Sequence, residues 1–271
     1  MVRRFEPKRF LIMGVINVTP DSFSDGGKCE TPDAARTAAL QLLEDGADIV
    51  DFGAESTRPG ATEISLQVEL DRLMPVLERV RREIPGFKIS VDSRRDEVFL
   101  QSADTGVKWF NRVGKVPAHD VLKRLAATDQ AKLAVTHMHG VPESMQADPL
   151  NREDALDAVN DFFEVVDRQL DLAGFDRNRV WFDPGIGFGK GMAGNLALLG
   201  EIRKWIETRQ VMVGVSRKSF IGRLFGMESP IDRDGPGKAI ESMCAFAGAG
   251  IIRTHDVKGL STIRQRMAGG H

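Results

Sequence analysis

The stretch Val211-Met212-Val213-Gly214-Val215-Ser216-Arg217-Lys218-Ser219-Phe220 decides how this chain folds. Its apolar first half reads as a β-strand. Ile221-Gly222-Arg223-Leu224-Phe225, just beyond it, reads as a short helix. Ser216 to Ser219 join the two, with two hydroxyls and two cations at the helix start. First-turn amides lack intrahelical partners, and the helix dipole favours negative charge there. The unit therefore suits an anion. A basic turn in solvent is the bland alternative, and the other strand ends decide between them.

Working outward, the same strand-then-helix unit repeats from end to end. Residues 10–17 read as the first strand. A polar loop, 18–27, leads to Thr31-Pro32, an N-cap followed by a first-turn proline. Ala35, Ala38, Ala39, Leu42 and Leu43 then recur at helical spacing, and Gly46 closes the helix. Residues 48–53 read as the second strand. The helix after it carries Leu66, Leu70, Leu73, Met74 and Leu77 on one face, and Pro75 is expected to kink or divide it. Further strands are expected over 87–93, 108–113, 132–138 and 180–183, with helices over 96–106, 119–128 and 196–208. A long helix between the fifth and sixth strands carries Leu156, Val159, Phe163, Val166 and Leu170 in register. After the opening unit come a polar insert (229–237), a helix over 238–246, an eighth strand over 251–254 and a last helix over 260–267. Eight strands each followed by a helix imply parallel pairing with right-handed crossovers. They predict a closed (β/α)8 barrel, one domain over residues 1–271 with a short N-terminal extension at 1–9. An open doubly wound sheet is the alternative.

Composition narrows the function. The chain has 271 residues and a formal net charge of −2, with no block of like charges. A nucleic acid is not an expected partner, and any anion site is local. No apolar run is long enough to span a membrane, and the N-terminus lacks the apolar stretch of a signal peptide. Cys29 and Cys244, the two cysteines, stand far apart in the chain. They read as free thiols of a cytoplasmic protein.

In such a barrel the C-terminal strand ends hold the active site. Those ends supply Asn17, then Glu55, Thr57 and Arg58, then Asp92, Asn111, His137 with His139, Asp183, Lys218, and Arg253 with His255. Asp92, Asn111, Asp183 and Lys218 suit a planar heterocycle, because a carboxylate accepts two parallel N–H bonds from an amino-pyrimidinone edge. A structural Asp–Lys ion pair is the alternative. Arg253 and His255 neighbour Asn17 in a closed barrel, with Arg58 close by. That set fits a phosphate or pyrophosphate, and Asn17 also suits a Mg²⁺ bridging phosphate oxygens. A solvated rim is the bland reading. The glycine-rich run 183–190 lets backbone pass close to a flat ligand, with Phe188 as an apolar wall. His137-Met138-His139 opens a competing reading, a zinc hydrolase with His255 as a further ligand.

The motifs then carry a family resemblance. Asn17-Val18-Thr19-Pro20-Asp21-Ser22-Phe23-Ser24-Asp25-Gly26-Gly27 resembles the first signature of the dihydropteroate synthase family, and Glu55-Ser56-Thr57-Arg58-Pro59-Gly60 resembles the second. Ser90-Val91-Asp92, Asp183 to Lys190, Ser216 to Gly222 and Arg253-Thr254-His255-Asp256 resemble the later ones, in order and over nearly the whole chain. The resemblance implies a transferase that joins 6-hydroxymethyl-7,8-dihydropterin pyrophosphate to p-aminobenzoate in folate biosynthesis, releasing pyrophosphate. It implies pterin on Asp92, Asn111, Asp183, Lys218 and Phe188, and pyrophosphate with Mg²⁺ on Asn17, Arg253 and His255. It implies p-aminobenzoate near Phe23, Thr57, Arg58, Pro59 and Ser219. Lys218, Arg253, His255 and Asp92 would be the catalytic residues, and the family suggests a homodimer. A related pterin barrel with altered activity, or a folate-dependent methyltransferase, stands as the alternative.

Two positions depart from the family pattern. Asn111-Arg112 stands where Asn-Asp is common, and Thr136-His137-Met138 where Met-His-Met is usual. Arg112 is expected to point off the pterin pocket and pair with a carboxylate. Thr136 removes an apolar contact from the expected pterin wall.

Overall fold

The computed structural model describes residues 10–19 and 31–269. Eight parallel strands pair in chain order and close on themselves. They are β1 (Leu11–Asn17), β2 (Ile49–Gly53), β3 (Ile89–Ser93), β4 (Trp109–Val113), β5 (Lys132–Thr136), β6 (Val180–Asp183), β7 (Gln210–Val213) and β8 (Ile251–Thr254). Outside them run α1 (Pro32–Glu44), α2 (Leu66–Glu83), α3 (Asp96–Asp104), α4 (His119–Ala127), α5 (Arg152–Ala173), α6 (Met192–Trp205), α7 (Ser219–Phe225), α8 (Asp234–Ala247) and α9 (Val257–Gly269). Pairing of β1 with β8, Leu11 opposite Ile251 and Gly14 opposite Thr254, excludes the open sheet.

Register decides what faces inward. Asp51 pairs with Ser90, Asp92 with Asn111, Asn111 with Ala134, Thr136 with Asp183, and Met13 with both Ile49 and Arg253. Successive side chains point to opposite faces. The lower half of the barrel is therefore plugged by one apolar cluster, Met13, Ile49, Trp109, Ala134, Trp181, Met212 and Ile251. Two residues further along, most strands place a polar side chain inward: Asp51, Asn111, Thr136, Asp183 and Arg253. The outward set, including Ile12, Val50, Phe52, Val91, Phe110, Val135, Phe182, Val213 and Ile252, merges with the helix faces into the main core. Each such side chain contributes about 1.5–3 kcal/mol by leaving water. That layer makes the strands a rigid mount for the polar ring.

Local sequence explains most boundaries. Thr31 caps α1 by accepting from the Ala34 amide, with proline at the helix start. Asn151 caps α5 by accepting from the Glu153 and Asp154 amides. Three expectations needed correction. α2 runs unbroken through Pro75. The proline sits on its exposed side, where carbonyls can tilt toward water, while Leu73, Val76, Leu77 and Val80 are packed beneath. The polar insert is also partly helical, because α8 begins at Asp234 rather than Lys238. Strand five stops at Thr136, before His137.

Candidate active site

The C-terminal strand ends open into one cavity of about 720 Å³. Asn17, Asp92, Asn111, Asp183, Phe188, Lys218, Arg253 and His255 line it, together with Thr57, Arg58, Pro59 and Ser219. Phe23 lies outside the described residues.

The floor is an ion-pair and amide network. Arg253 donates from Nε to Asp51 Oδ2 at 2.8 Å and from Nη2 to Asp92 Oδ2 at 2.7 Å. Asn111 Nδ2 donates to the same Asp51 oxygen at 2.9 Å. Asp92 Oδ1 and Asn111 Oδ1 are buried without a hydrogen-bond partner. A buried acceptor left unpaired costs about 1–3 kcal/mol, which a ligand N–H recovers. Burial pushes the Asp92 carboxyl up to about 7; Arg253 opposes this and Asp51 adds to it. Asp183, on the neighbouring wall, is also raised by burial, against the pull of Lys218.

The glycine-rich run forms the next wall. Asp183 Oδ1 accepts from the Gly185 amide at 2.7 Å. Gly185, Gly187 and Gly189 have φ of 66°, 86° and 66°, the left-handed region. A Cβ on Gly185 would fall on the His137 carbonyl oxygen, and one on Gly187 would meet the Lys218 side chain. The run turns its carbonyls onto cations. Lys190, fully buried, donates to the Gly185 and Phe188 oxygens at 2.9 Å each, and Lys218 donates to the Ile186 oxygen. The Lys218 ammonium also sits 4.1 Å from the Phe188 ring centroid. Burial lowers Lys218 to about 8, against Asp183. It lowers Lys190 to about 7, with Lys218 acting in the same direction.

The seventh and eighth strand ends are tied to each other. The Ser216 hydroxyl accepts from the His255 amide at 3.1 Å and lies 3.1 Å from its Nδ1, which sets the ring. Arg217 has φ 59°, an uncommon conformation for a side-chain-bearing residue. Two bonds from its guanidinium to Asp234, at 2.8 and 2.9 Å, hold it there. Arg233 Nη1 also caps the Arg217 carbonyl at 3.0 Å. The polar insert thus braces the turn between β7 and α7.

Over the mouth, the loop after β2 is anchored at its base and exposed at its tip. Glu55 accepts from Arg94 Nε at 2.8 Å, from Arg95 Nη1 at 3.1 Å and from the Ile64 amide at 3.2 Å. Burial opposes its ionisation, yet these partners, Arg94 foremost, hold it below its ordinary value. Arg95 also grips Glu69, Glu63 and the Ile64 carbonyl. At the tip, the Gly60 amide donates to the Pro142 oxygen at 2.8 Å, joining this loop to the one after β5.

His137 and His139 do not line the cavity. His137 follows inward-facing Thr136, so it turns outward and its ring meets Phe162 of α5, centroids 5.3 Å apart. No group of three His, Cys, Asp or Glu arranged to hold a metal occurs among the described residues. With neither histidine on the cavity wall, the zinc reading loses the pair on which it stood. Arg112 turns outward for the same reason and pairs with Asp96 at 3.1 Å, as expected, with Nε on the Lys115 carbonyl. Thr136 lines the cavity.

Sequence reading missed three residues that hold the site together: Asp51, Arg95 and Lys190. Asp51 carried a signal, a carboxylate inside the otherwise apolar Ile49-Val50-Asp51-Phe52. Arg95 and Lys190 carried no such signal, and only their partners reveal them.

A parallel barrel that gathers carboxylates, an amide and cations around one cavity at its strand tips has the layout of an enzyme barrel. Its family follows from comparison. The pterin binding enzyme family matches residues 13–255, and the chain belongs to that family. It is 38% identical to the dihydropteroate synthase of Escherichia coli over 249 residues, covering 91% of this chain and 86% of that protein. It is 36% identical over 269 residues to a folate synthesis bifunctional protein of Arabidopsis thaliana, covering 93% of this chain and 54% of the plant protein; the chain thus spans about half that relative's length. A crystal structure of the Yersinia pestis dihydropteroate synthase in complex with a sulfonamide drug superposes with a TM-score of 0.88 at 37% identity, covering 96% of this chain and 94% of that one.

Proposed function

We propose that the chain catalyses the dihydropteroate synthase reaction, joining 6-hydroxymethyl-7,8-dihydropterin pyrophosphate to p-aminobenzoate with release of pyrophosphate. The observation that carries this reading is the pair of buried, unpartnered acceptors on the cavity wall, Asp92 Oδ1 and Asn111 Oδ1, beside Asp183. They call for adjacent N–H donors, which the amino-pyrimidinone edge of a pterin presents. Lys218 and Phe188 flank the ring. A cavity of about 720 Å³ falls within the usual range for small-molecule sites. Named relatives of this activity at over a third identity support the same assignment.

The chemistry follows from the charges. The methylene C–O bond breaks and pyrophosphate leaves with the electron pair. Arg253 and His255 stabilise that leaving charge. The cation left on the pterin methylene is stabilised by ionised Asp92. The aniline nitrogen of p-aminobenzoate, unprotonated at neutral pH, then forms the new C–N bond and loses a proton. No strong base is required, so the protein's contribution is orientation and electrostatics. Thr57, Arg58, Pro59 and Ser219 lie on the mouth side, where p-aminobenzoate enters.

Asn17 fits a Mg²⁺. Its amide oxygen is a hard donor on the cavity wall, one strand from Arg253 and His255, and this metal favours few protein ligands plus substrate phosphates. Bound there, it would neutralise charge on the departing pyrophosphate.

The chain is further assigned as a homodimer. Leu224, Phe225, Ile231, Met243 and Phe246, on α7, α8 and the turn between them, are exposed apolar side chains of the kind that a second copy covers. A cytoplasmic location is consistent with the buried free thiol of Cys244 and with the lack of any helix, among the described residues, long and apolar enough to cross a membrane.

A methyltransferase has less need of the Ser216–Ser219 turn and the Glu55–Gly60 loop, both of which face the cavity. The deciding experiment is a coupled pyrophosphate assay with the pterin substrate, with and without p-aminobenzoate. Release that depends on p-aminobenzoate is expected. Absence of release from folded protein would remove the reading.

A further inference from the structure

Asp51 is fully buried and does not line the cavity, yet it holds two residues that do. One oxygen, Oδ2, accepts from Asn111 Nδ2 at 2.9 Å and from Arg253 Nε at 2.8 Å. An ionised carboxylate only accepts hydrogen bonds, so the amide nitrogen of Asn111 must face it. The amide oxygen is then left on the opposite side, and it is the buried Oδ1 without a partner. Asp92, directly across the strand pair from Asn111, likewise shows an unpartnered Oδ1.

We propose that Asp51 is a specificity-determining positioning residue. It fixes the sense of the Asn111 amide, so that two acceptors stand side by side and the site requires a ligand with N–H donors there. Through Nε it also orients the Arg253 guanidinium, whose Nη2 reaches Asp92. The role deepens the pterin-binding reading above and rests on it. Without Asp51, the Asn111 amide is free to reverse and offer an N–H where the pterin also offers one. A ligand with a carbonyl in place of its amino group would then be accepted. A polar ligand group facing the wrong partner is heavily penalised because both are buried, so one amide orientation carries large discrimination.

The test compares the wild-type chain with Asp51→Asn. The probes are 6-hydroxymethylpterin and its lumazine counterpart, which bears a carbonyl in place of the 2-amino group; affinities are measured by calorimetry. Wild type is expected to prefer the pterin strongly. Asp51→Asn should weaken pterin binding at least about tenfold and narrow the preference by at least about tenfold, while the KM for p-aminobenzoate changes less than about twofold. In an Asn111→Ala background, Asp51→Asn should add less than about a threefold further loss, because the two residues act as a unit. Should Asp51→Asn fail to fold, Asp51→Ser keeps a polar group while releasing the amide, and the same ratios apply. Unchanged preference, or full additivity with Asn111→Ala, overturns the proposal. Failure of wild type to bind either probe overturns the pterin reading itself and this role with it, and is recognisable because it precedes any mutation.

Discussion

Asp92 and Arg253, 161 positions apart in the chain, meet in the cavity floor, Oδ2 to Nη2 at 2.7 Å. The contact joins the end of β3 to the end of β8, and Asp51 completes it from behind. Arg253 is thus fixed by two carboxylates before any substrate arrives, which is preorganisation for an anionic leaving group. Arg253→Ala is expected to lower kcat/KM for the pterin substrate at least about tenfold, a loss of ~1.4 kcal/mol or more of transition-state stabilisation. Steady-state pyrophosphate release measures it, and an unchanged value would contradict the role.

Activity should depend on pH through two groups in the same cavity. Asp92, raised by burial to about 7, is protonated below that value and loses both its pairing with Arg253 and its charge toward a cation. Lys218, lowered by burial to about 8, is a cation below that value and neutral above it. A narrow bell in log kcat/KM is expected, falling below about pH 7 and above about pH 8, with the limbs belonging to the coupled site as a whole. Lys218→Arg should move the alkaline limb upward. A flat profile from pH 6 to 9 would rule out both assignments.

The loop after β2 should depend on Arg95. That residue ties Glu55, Glu63, Glu69 and the Ile64 carbonyl into one cluster beneath a tip that faces the cavity. Removing one partner of a buried charge cluster costs about 3–5 kcal/mol. Arg95→Ala is expected to lower stability by that order in chemical denaturation. It should also raise the KM for p-aminobenzoate several-fold more than that for the pterin substrate, and Arg95→Lys should recover part of both. Equal changes in the two KM values would show that the loop does not serve the mouth side.

Acid stability should depend on His137. Burial, then Lys190 and His139, push its imidazole down to about 3. The unfolded chain takes up this proton near pH 6.5, while the folded chain holds it only near 3. Stability attributable to this group is therefore intact above about 6.5 and falls between about 6.5 and 3, by up to ~1.4 kcal/mol per pH unit. His137→Phe keeps a ring against Phe162 and has no proton to take up. Its stability should fall less steeply than wild type's from pH 6 to 4 in denaturant titrations. Identical slopes would refute the assignment.

Much of the site was legible because a parallel barrel brings strand ends together. Once eight units are counted, Asn17, Asp92, Asn111, Asp183, Arg253 and His255 must share one rim. Residues beyond the strands were less so. Asp234 braces Arg217 from what reads as a polar insert, and Lys190 supports a glycine run from inside it. Neither pairing has a local pattern, because each depends on where the chain returns.

The amino-acid sequence alone determined the alternation of strand and helix, the closed barrel it implies, and the order of polar residues at the strand tips. Local propensity, apolar period and loop chemistry are enough for that. That His137 faces away from the cavity, and which groups His137 and Arg112 meet, was decided only in three dimensions. Thr136 lines the cavity while His137 packs on Phe162, and Asn111 enters while Arg112 turns to Asp96. Side chains alternate every residue, so one step of register reverses every one of them, and register is set by packing and hydrogen bonding between strands distant in the chain.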